Sequence, residues 1–504
     1  MTNLLKYSII ILRKRCEIFM ARETTSSFIL TLPLKTTISD ESAINKYMEL
    51  SRRYYNAILG KLLKRYYLMI QSKKYIQVFK MPKSTERNKL FDKVSEEFGL
   101  KGTAINELIT SLRVNEFKEL GSHITIKLEL RAMQAIDKLK FGKAKKVSFI
   151  KYGEMFSFES SDNKQGIRFR DNKIIFNKLD IPVVIKQNDI YVQQALQNRV
   201  KYCRIKREII KGKYKYYIQL IMEGIPPIKI NNNTGEIKNP VNNGTVGIDI
   251  GTQTIAYSSK DEVKLLELAP EINNIEKEKR VLQRKMDRSR RSTNPNKYNE
   301  NGTINTKDKS KWIKSKHYIK VQNELIELQR KQKEIRKRSH NKLANHILTL
   351  GNDIYVESMN YKGLQARAKN TTINKNGKIN KKKRFGKSLA NKAPSMFLTI
   401  LDNKLKWNEK QLIKIDTWNV KASQYNHFDN NYVKKELGER WNDFGEFKIQ
   451  RDLYSAFLIM NVKNSLKEVD REKCFKEFDN FKILHDDEIN RLRNSKRNIA
   501  SMGI

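Results

Sequence analysis

"GTVGIDIGTQTIAYSSKD", residues 244–261, sets one carboxylate, Asp249, inside an apolar strand with Gly247 and Gly251 on either side and a second strand directly behind it. A buried acid without a partner is costly. The position is therefore either an oddity of core packing or a charge kept for chemistry. The rest of the chain has to decide between the two.

The balance of charge bounds the answer first. The 504 residues carry Lys+Arg 101 against Asp+Glu 55, a formal net charge of +46, with 39% hydrophobic residues. That is enough apolar content for real cores in more than one domain. The positive surplus needs a polyanion, and nucleic acid is the natural one. It is spread along the chain rather than gathered in a tail, which predicts a protein that encloses its partner. Neither a basic amphipathic helix nor a long apolar span is present, so a membrane partner is not expected. Cys16, Cys203 and Cys474 lie far apart; they fit a reducing, cytoplasmic setting and form no CxxC site or disulfide framework. The Asn-, Lys- and Ile-heavy text reads as bacterial. Residues 1–19 lack the length of a membrane span and the marks of a secretory signal, and are expected to be a dispensable extension ahead of a start at Met20.

Residues 26–36 read as one strand. Helical text follows to about residue 140, opening at an Asp40 cap with Ile44, Met48, Tyr55, Ile58, Leu62, Tyr66 and Met69 at helical spacing. Arg52, Arg53, Lys61, Lys64 and Arg65 alternate with tyrosines there, a pattern that serves equally as a solvated face or as phosphate and base contacts. From residue 145 the period switches to two, and "YCRIKREIIKGKYKYYIQLIMEG" (202–224) is the clearest hairpin. The resulting division is a strand (20–38), a helical region (39–144), a β domain (145–228) to which that strand belongs, and a turn-rich linker (229–245). Past the opening stretch (246–270) comes a helical hairpin (271–347), striped by Ile272, Ile275, Leu282 and Met286 on one arm and Tyr318, Val321, Leu325, Leu328 and Ile335 on the other. "RSRRSTNPNKYNENGTINTKDKSK" between the arms reads as a polar, flexible tip. Residues 348–418 return to strands around a basic loop whose "GKS" lacks the earlier glycine of a P-loop. After the segment 419–450, a last core helix opens 451–504.

Three acids stand out: Asp249 in the first strand of a hairpin, Glu357 at the end of a later strand, and Asp452 in the first turn of an apolar helix. Acids on two neighbouring strands and one helix can converge on a pair of divalent ions, which clamp the attacking and leaving oxygens of a phosphodiester. Hard Mg²⁺ prefers such oxygen ligands. Singly, Asp452 reads as a helix cap and Glu357 as a surface acid. In this order they read as a site.

"GIDIGTQTIAYS", "RSHNKLANHIL", "IYVESMNYKGL", "GKSLANKAPSMFLTILDNKLKW" and "RDLYSAFLIMNV" together resemble the split RuvC nuclease core of TnpB, the RNA-guided endonuclease of bacterial insertion sequences related to type V CRISPR effectors. The resemblance covers residues 245–465. It implies an α/β and β multidomain chain, in which an RNase H-like RuvC core with a helical insertion follows a β-barrel wedge domain interrupted by a helical recognition domain. Asp249, Glu357 and Asp452 fall on the family's catalytic, metal-holding acids; Asp416 matches no catalytic position. The implied cofactor is Mg²⁺ or Mn²⁺, as two ions. The implied partners are a guide RNA encoded by the element and a double-stranded DNA target, cut beside a short flanking motif. Two other functions remain open: a guided DNA-binding regulator that does not cut, and a transposase acting without RNA.

One departure is plain. Most of the family carries a CxxC…CxxC zinc ribbon between the second and third acids, and residues 419–450 contain no cysteine. The lone His427 cannot replace four ligands, so no structural zinc is expected. The segment is expected to hold itself by packing through Trp418, Tyr425, Tyr432 and Trp441.

Overall fold

The computed structural model describes residues 25–504 except 232, 273, 367–369, 374–376, 378, 380–384, 437 and 496–499. The expected extension at 1–19, the start at Met20, Cys16 and part of the basic loop lie outside the described residues. The chain is a mixed α/β protein of two compact units, one reaching to Pro227 and one beginning at Ile228.

The first unit starts with β1 (Ser27–Pro33), which turns Phe28, Leu30 and Leu32 inward. Helix α1 (Ile38–Gln71) opens with a capping box: the Thr37 side chain accepts from the Asp40 backbone N–H at 3.2 Å, and Asp40 accepts from the Thr37 N–H at 2.9 Å. The cap is thus Thr37, not Asp40, because the reciprocal pair satisfies two orphan donors where Asp40 alone would satisfy one. Helices α2 (Lys73–Lys80), α3 (Thr85–Glu97), α4 (Thr103–Glu116) and α5 (Ser122–Lys140) complete the helical region. Along α1 the basic and aromatic residues divide. Tyr54 and Tyr55 are core, Arg52 donates to the Ile150 carbonyl at 3.0 Å and Arg65 to that of Gly99 at 2.6 Å, while Lys61 and Lys64 face solvent.

The strands that follow are β2 (Ser157–Glu159), β3 (Arg168–Arg170), β4 (Lys173–Phe176), β5 (Leu179–Pro182), β6 (Val200–Ile210) and β7 (Lys213–Glu223). Lys211 and Gly212, at φ 50° and 78°, make the tight β6–β7 turn, whose twist suits a two-residue hairpin. β1 pairs antiparallel with β7 from Ser27↔Glu223 to Pro33↔Tyr217. The ladders do not close into the expected barrel. They form a four-stranded sheet, β1-β7-β6-β2, and a three-stranded sheet, β3-β4-β5, joined by a bridge at Leu34↔Val183. Asp162 accepts from the Lys164 and Gln165 amides at 2.8 and 2.9 Å, and this turn carries the chain off the ladder after β2.

The second unit is built on β8 (Thr245–Ile250), β9 (Thr254–Ser258), β10 (Val263–Glu267), β11 (Asp353–Glu357) and β12 (Ile413–Ile415), in the order β10-β9-β8-β11-β12. The first three are antiparallel; β11 runs parallel to both β8 and β12. Four longer helices and a helical arm belong to it: α6 (Glu276–Thr293), α7 (Lys316–Leu350), α8 (Pro394–Lys406), α9 (Arg451–Met460) and α10 (Arg471–Arg493). One sheet face presents Val246, Ile248, Ile250, Ile354 and Val356 to Ala344 and Ile347 of α7 and to Phe397, Leu401 and Leu405 of α8. The other presents Ala256, Val263, Leu265 and Ile415 to α9 and α10. A sheet covered on both faces explains why β8 reads as a nearly continuous apolar run. Among the described residues no helix is long and apolar enough to cross a membrane.

The tip between α6 and α7 has a core of its own, contrary to the expected flexible polar loop. Buried Lys297 donates to the carbonyls of Asp308 and Ser310 at 3.1 and 2.5 Å and pairs with the Asp308 carboxylate at 3.1 Å. Buried Asn294 ties Arg290 to Ile313. Arg290 and Arg291 both engage Asp287, and Arg290 lies 5.4 Å from the Trp312 ring. The polar text misled because buried charge and amide groups, rather than apolar residues, do the packing.

Candidate active site

The strand register brings two of the three acids together. β8 and β11 pair in parallel up to Ile248↔Val356, and carrying that register on by one residue sets Asp249 beside Glu357. Both point to the face covered by α9, since their neighbours Ile248 and Val356 belong to the opposite face. Gly247 brings the third. A Cβ built there would fall 2.1 Å from the Ala456 carbonyl oxygen and 2.3 Å from the Met460 nitrogen, so α9 lies directly on the β8 backbone. From that contact Asp249 is two residues along the strand, about 7 Å, and Asp452 is one helical turn back from Ala456, about 6 Å. The three acids meet at one end of one face.

Asp452 is not the cap of its helix. Gln450 is: its side chain accepts from the Leu453 N–H at 2.9 Å and donates to the Met502 carbonyl at 3.0 Å. Asp452 follows in the first turn, where a carboxylate is favoured by the helix dipole, and its side chain is 16% exposed. Asp416, by contrast, caps the short helix Thr417–Val420, accepting from the Trp418 N–H at 3.0 Å. It has no place in the cluster.

Electrostatics follow from this geometry. The Asp249 carboxyl is held well above the usual carboxylate range, first by burial and then by the charges of Glu357 and Asp452; Arg451 and Arg440 oppose the shift. Burial also raises Glu357. Arg440 Nη1 stands 3.6 Å from Asp452 Oδ2 and Arg451 Nε 3.7 Å from Oδ1, loose pairs made with the third acid. Tyr361, in the short helix Tyr361–Leu364, donates to the Ile250 carbonyl at 3.4 Å, and its phenol is raised by burial with a contribution from Asp249. Tyr361, Arg440 and Arg451 were not singled out from the sequence. Only Arg451, adjacent to Asp452, carried any local signal.

The donor set suits a hard divalent cation: carboxylate oxygens crowded at one buried spot, where a cation would offset their mutual repulsion. Among the described residues no three His, Cys, Asp or Glu side chains close into a single ligand group.

The segment expected to replace a zinc ribbon folds as two small hairpins, β13 (Tyr425–Asn426) with β14 (Asn431–Tyr432) and β15 (Trp441–Asp443) with β16 (Lys448–Gln450). Tyr425 and Tyr432 do pack together, with ring centroids 4.9 Å apart, and Trp441 donates to the Gly503 carbonyl at 2.9 Å. Trp418 does not contribute; it is 87% exposed. The core is instead His427 and Phe428 among Phe444, Phe447, Tyr454, Phe475 and Phe478. The buried His427 Nδ1 lies 2.6 Å from the Tyr454 hydroxyl, and burial, with the Arg471 charge, lowers the imidazole to about 4. A depressed histidine gives stability that is complete above its unfolded value of about 6.5 and is lost as pH falls toward the folded value. His427 should therefore contribute up to about 3 kcal/mol of acid lability between those limits. His427→Gln is expected to flatten the fall in melting temperature between pH 6.5 and 4 relative to the parent. Parallel curves would refute this.

No family model matches the chain, and no curated protein matches it. Among solved structures, the chain is similar to one described as "Cryo-EM structure of the Cas12f1-sgRNA-target DNA complex", at 10% identity and a TM-score of 0.40, over 87% of this chain and 99% of that one. It is also similar to one described as "Cryo-EM structure of CRISPR-Cas12f Ternary Complex", at 13% identity and a TM-score of 0.23, over 84% of this chain and 82% of that one.

Proposed function

We propose that this chain is an RNA-guided, metal-dependent DNA endonuclease of the TnpB kind, with Asp249, Glu357 and Asp452 as its metal-holding acids. The observation that carries the reading is the convergence of these three carboxylates at one end of a sheet face, where Asp249 is raised first by burial and then by the charges of the other two. A core protein gains nothing from crowding acids in this way. The strand order β10-β9-β8-β11-β12 supports an RNase H-like core, and the +46 charge supports a large nucleic-acid partner. A bound pair of divalent ions would activate water and neutralise the charge developing on the phosphodiester. The chain's own contribution is placement. β8 and β11 fix two carboxylates side by side, α9 brings the third, and Arg440 and Arg451 set the orientation of Asp452 while metal is absent.

The protein should purify with a structured RNA, and its binding should weaken steeply with salt, by a log–log slope of about 0.7–0.9 per neutralised phosphate. Sequencing that RNA, then assaying cleavage of a matching duplex with Mg²⁺ or Mn²⁺, tests the reading. Full-rate cutting by an RNA-free preparation would sink the guided mechanism. Guided binding without cutting under any divalent ion would favour the regulator.

A further inference from the structure

We propose that the tip of the α6–α7 hairpin is a docking site for the phosphodiester backbone of a nucleic acid, a contact separate from the acid cluster. The inference rests on the nucleic-acid-binding part of the proposed function but not on cleavage. An open hollow of about 440 Å³ lies between the two arms, lined by Lys285, Arg288, Ser289, Ser292, Thr293, Ser315 and His317. Every lining side chain offers a hydrogen-bond donor, and none is acidic or aliphatic. That chemistry suits phosphate oxygens and their water, and gives no apolar grip to a protein partner.

The surrounding structure explains why the cations face the hollow. The nearby acids are turned to other work: Asp287 is engaged by Arg290 and Arg291, and Asp308 by buried Lys297. Lys285 and Arg288 remain exposed, and neither makes an ion pair among the described residues. Ser289 and Ser315, one on each arm and both lining the hollow, share a hydrogen bond of 2.8 Å. Beside these residues, the Lys297 cage and the Arg290–Trp312 contact hold the rest of the tip together. Ordering some twenty polar residues costs conformational entropy, and the result is a rigid cationic rim rather than a loose charged loop. The hollow is larger than a single phosphate group, so it fits successive phosphates of one strand.

The test is direct binding by the intact protein, stripped of bound nucleic acid. The probes are labelled oligo-U RNA and oligo-dT DNA of about thirty nucleotides and a DNA duplex of similar length, each over a salt series. Lys285→Gln/Arg288→Gln should weaken binding about tenfold and lower the salt slope by about one to two. Ser292→Asp, which sets a carboxylate on the rim, should weaken it too, while Ser292→Ala should not. Loss on RNA alone assigns the hollow to the guide, loss on DNA alone to the target, and loss on both to either backbone. Lys307→Gln/Lys309→Gln removes the same charge from the tip outside the hollow. An equal loss there would show a net-charge effect and overturn the site. So would parent-like affinity and slope in both the double variant and Ser292→Asp, with melting curves confirming the fold. A parent that binds none of the probes would overturn this inference and the proposed function together. A parent that binds but never cuts would overturn only the latter.

Discussion

Asp249→Ala, Glu357→Ala and Asp452→Ala are each expected to reduce metal-dependent cleavage by about a thousandfold or more, which corresponds to about 4 kcal/mol of lost transition-state stabilisation. Guided DNA binding should stay close to the parent's. The acids sit together at the end of the β8–β11 face; under the proposed function they hold cations, and basic side chains and base pairing hold the nucleic acids. Loss of one ligand disturbs the whole cluster, so double variants should be little worse than single ones. Binding without metal should tighten slightly, because one carboxylate fewer repels the phosphates. Ordinary core or capping acids would give another pattern: lower melting temperatures, with binding and cleavage falling in step. Measuring cleavage, binding and melting on each variant separates the two. A well-folded single variant that cuts like the parent would end the catalytic assignment.

Gly247→Ala should disrupt the second unit even though it adds only one methyl group. The new Cβ would fall 2.1 Å from the Ala456 oxygen, 2.3 Å from the Met460 nitrogen and 2.8 Å from the Met460 Cα. All three are backbone atoms of α9, which cannot step aside as a side-chain end could. α9 would have to lift off the sheet, exposing Leu453, Phe457 and Met460 and parting Asp452 from Asp249. A loss of about 4 kcal/mol or more is expected, a large share of the 5–15 kcal/mol that holds a typical domain together. Gly251→Ala is the control: a Cβ there meets the Thr254 hydroxyl oxygen at 3.4 Å, an ordinary contact. Melting curves and limited proteolysis of the two variants decide the matter. Parent-like stability in Gly247→Ala would mean that α9 does not rest on β8.

The meeting of Asp249, Glu357 and Asp452 was legible in the sequence because each acid interrupts or follows a strongly apolar element. Two strands and a helix of that kind have few ways to pack. Arg440 was not legible. It lies in a stretch without periodicity, and only the path of the β15–β16 hairpin carries it to Asp452. Tyr361 was hidden in the same way, since nothing in "ESMNYKGL" shows that the chain folds back to the Ile250 carbonyl. In the cysteine-free segment size misled: Trp418 is an obvious core candidate, yet the interior is taken by Phe428, Phe444 and Phe447, supplied with partners by α10. The expected barrel is not shown: its strands form two sheets joined by one bridge, and the chain leaves the ladder after β2 at a turn held by Asp162.

The parallel pairing of β8 with β11, and the docking of α9 on Gly247, also govern when the acids can first meet. Asp249, Glu357 and Asp452 are about one and two hundred residues apart in the chain. Contacts between such distant segments form late, because long loops must close before any pairing rewards them. A nascent chain that ends before Arg451 lacks both the third acid and the helix that covers that face of the sheet. Synthesis from the amino terminus therefore completes the first unit early and the acid cluster nearly last. Under the proposed function, the order of the sequence withholds hydrolysis from unfinished molecules, and a truncated product would have affinity without the means to break a strand.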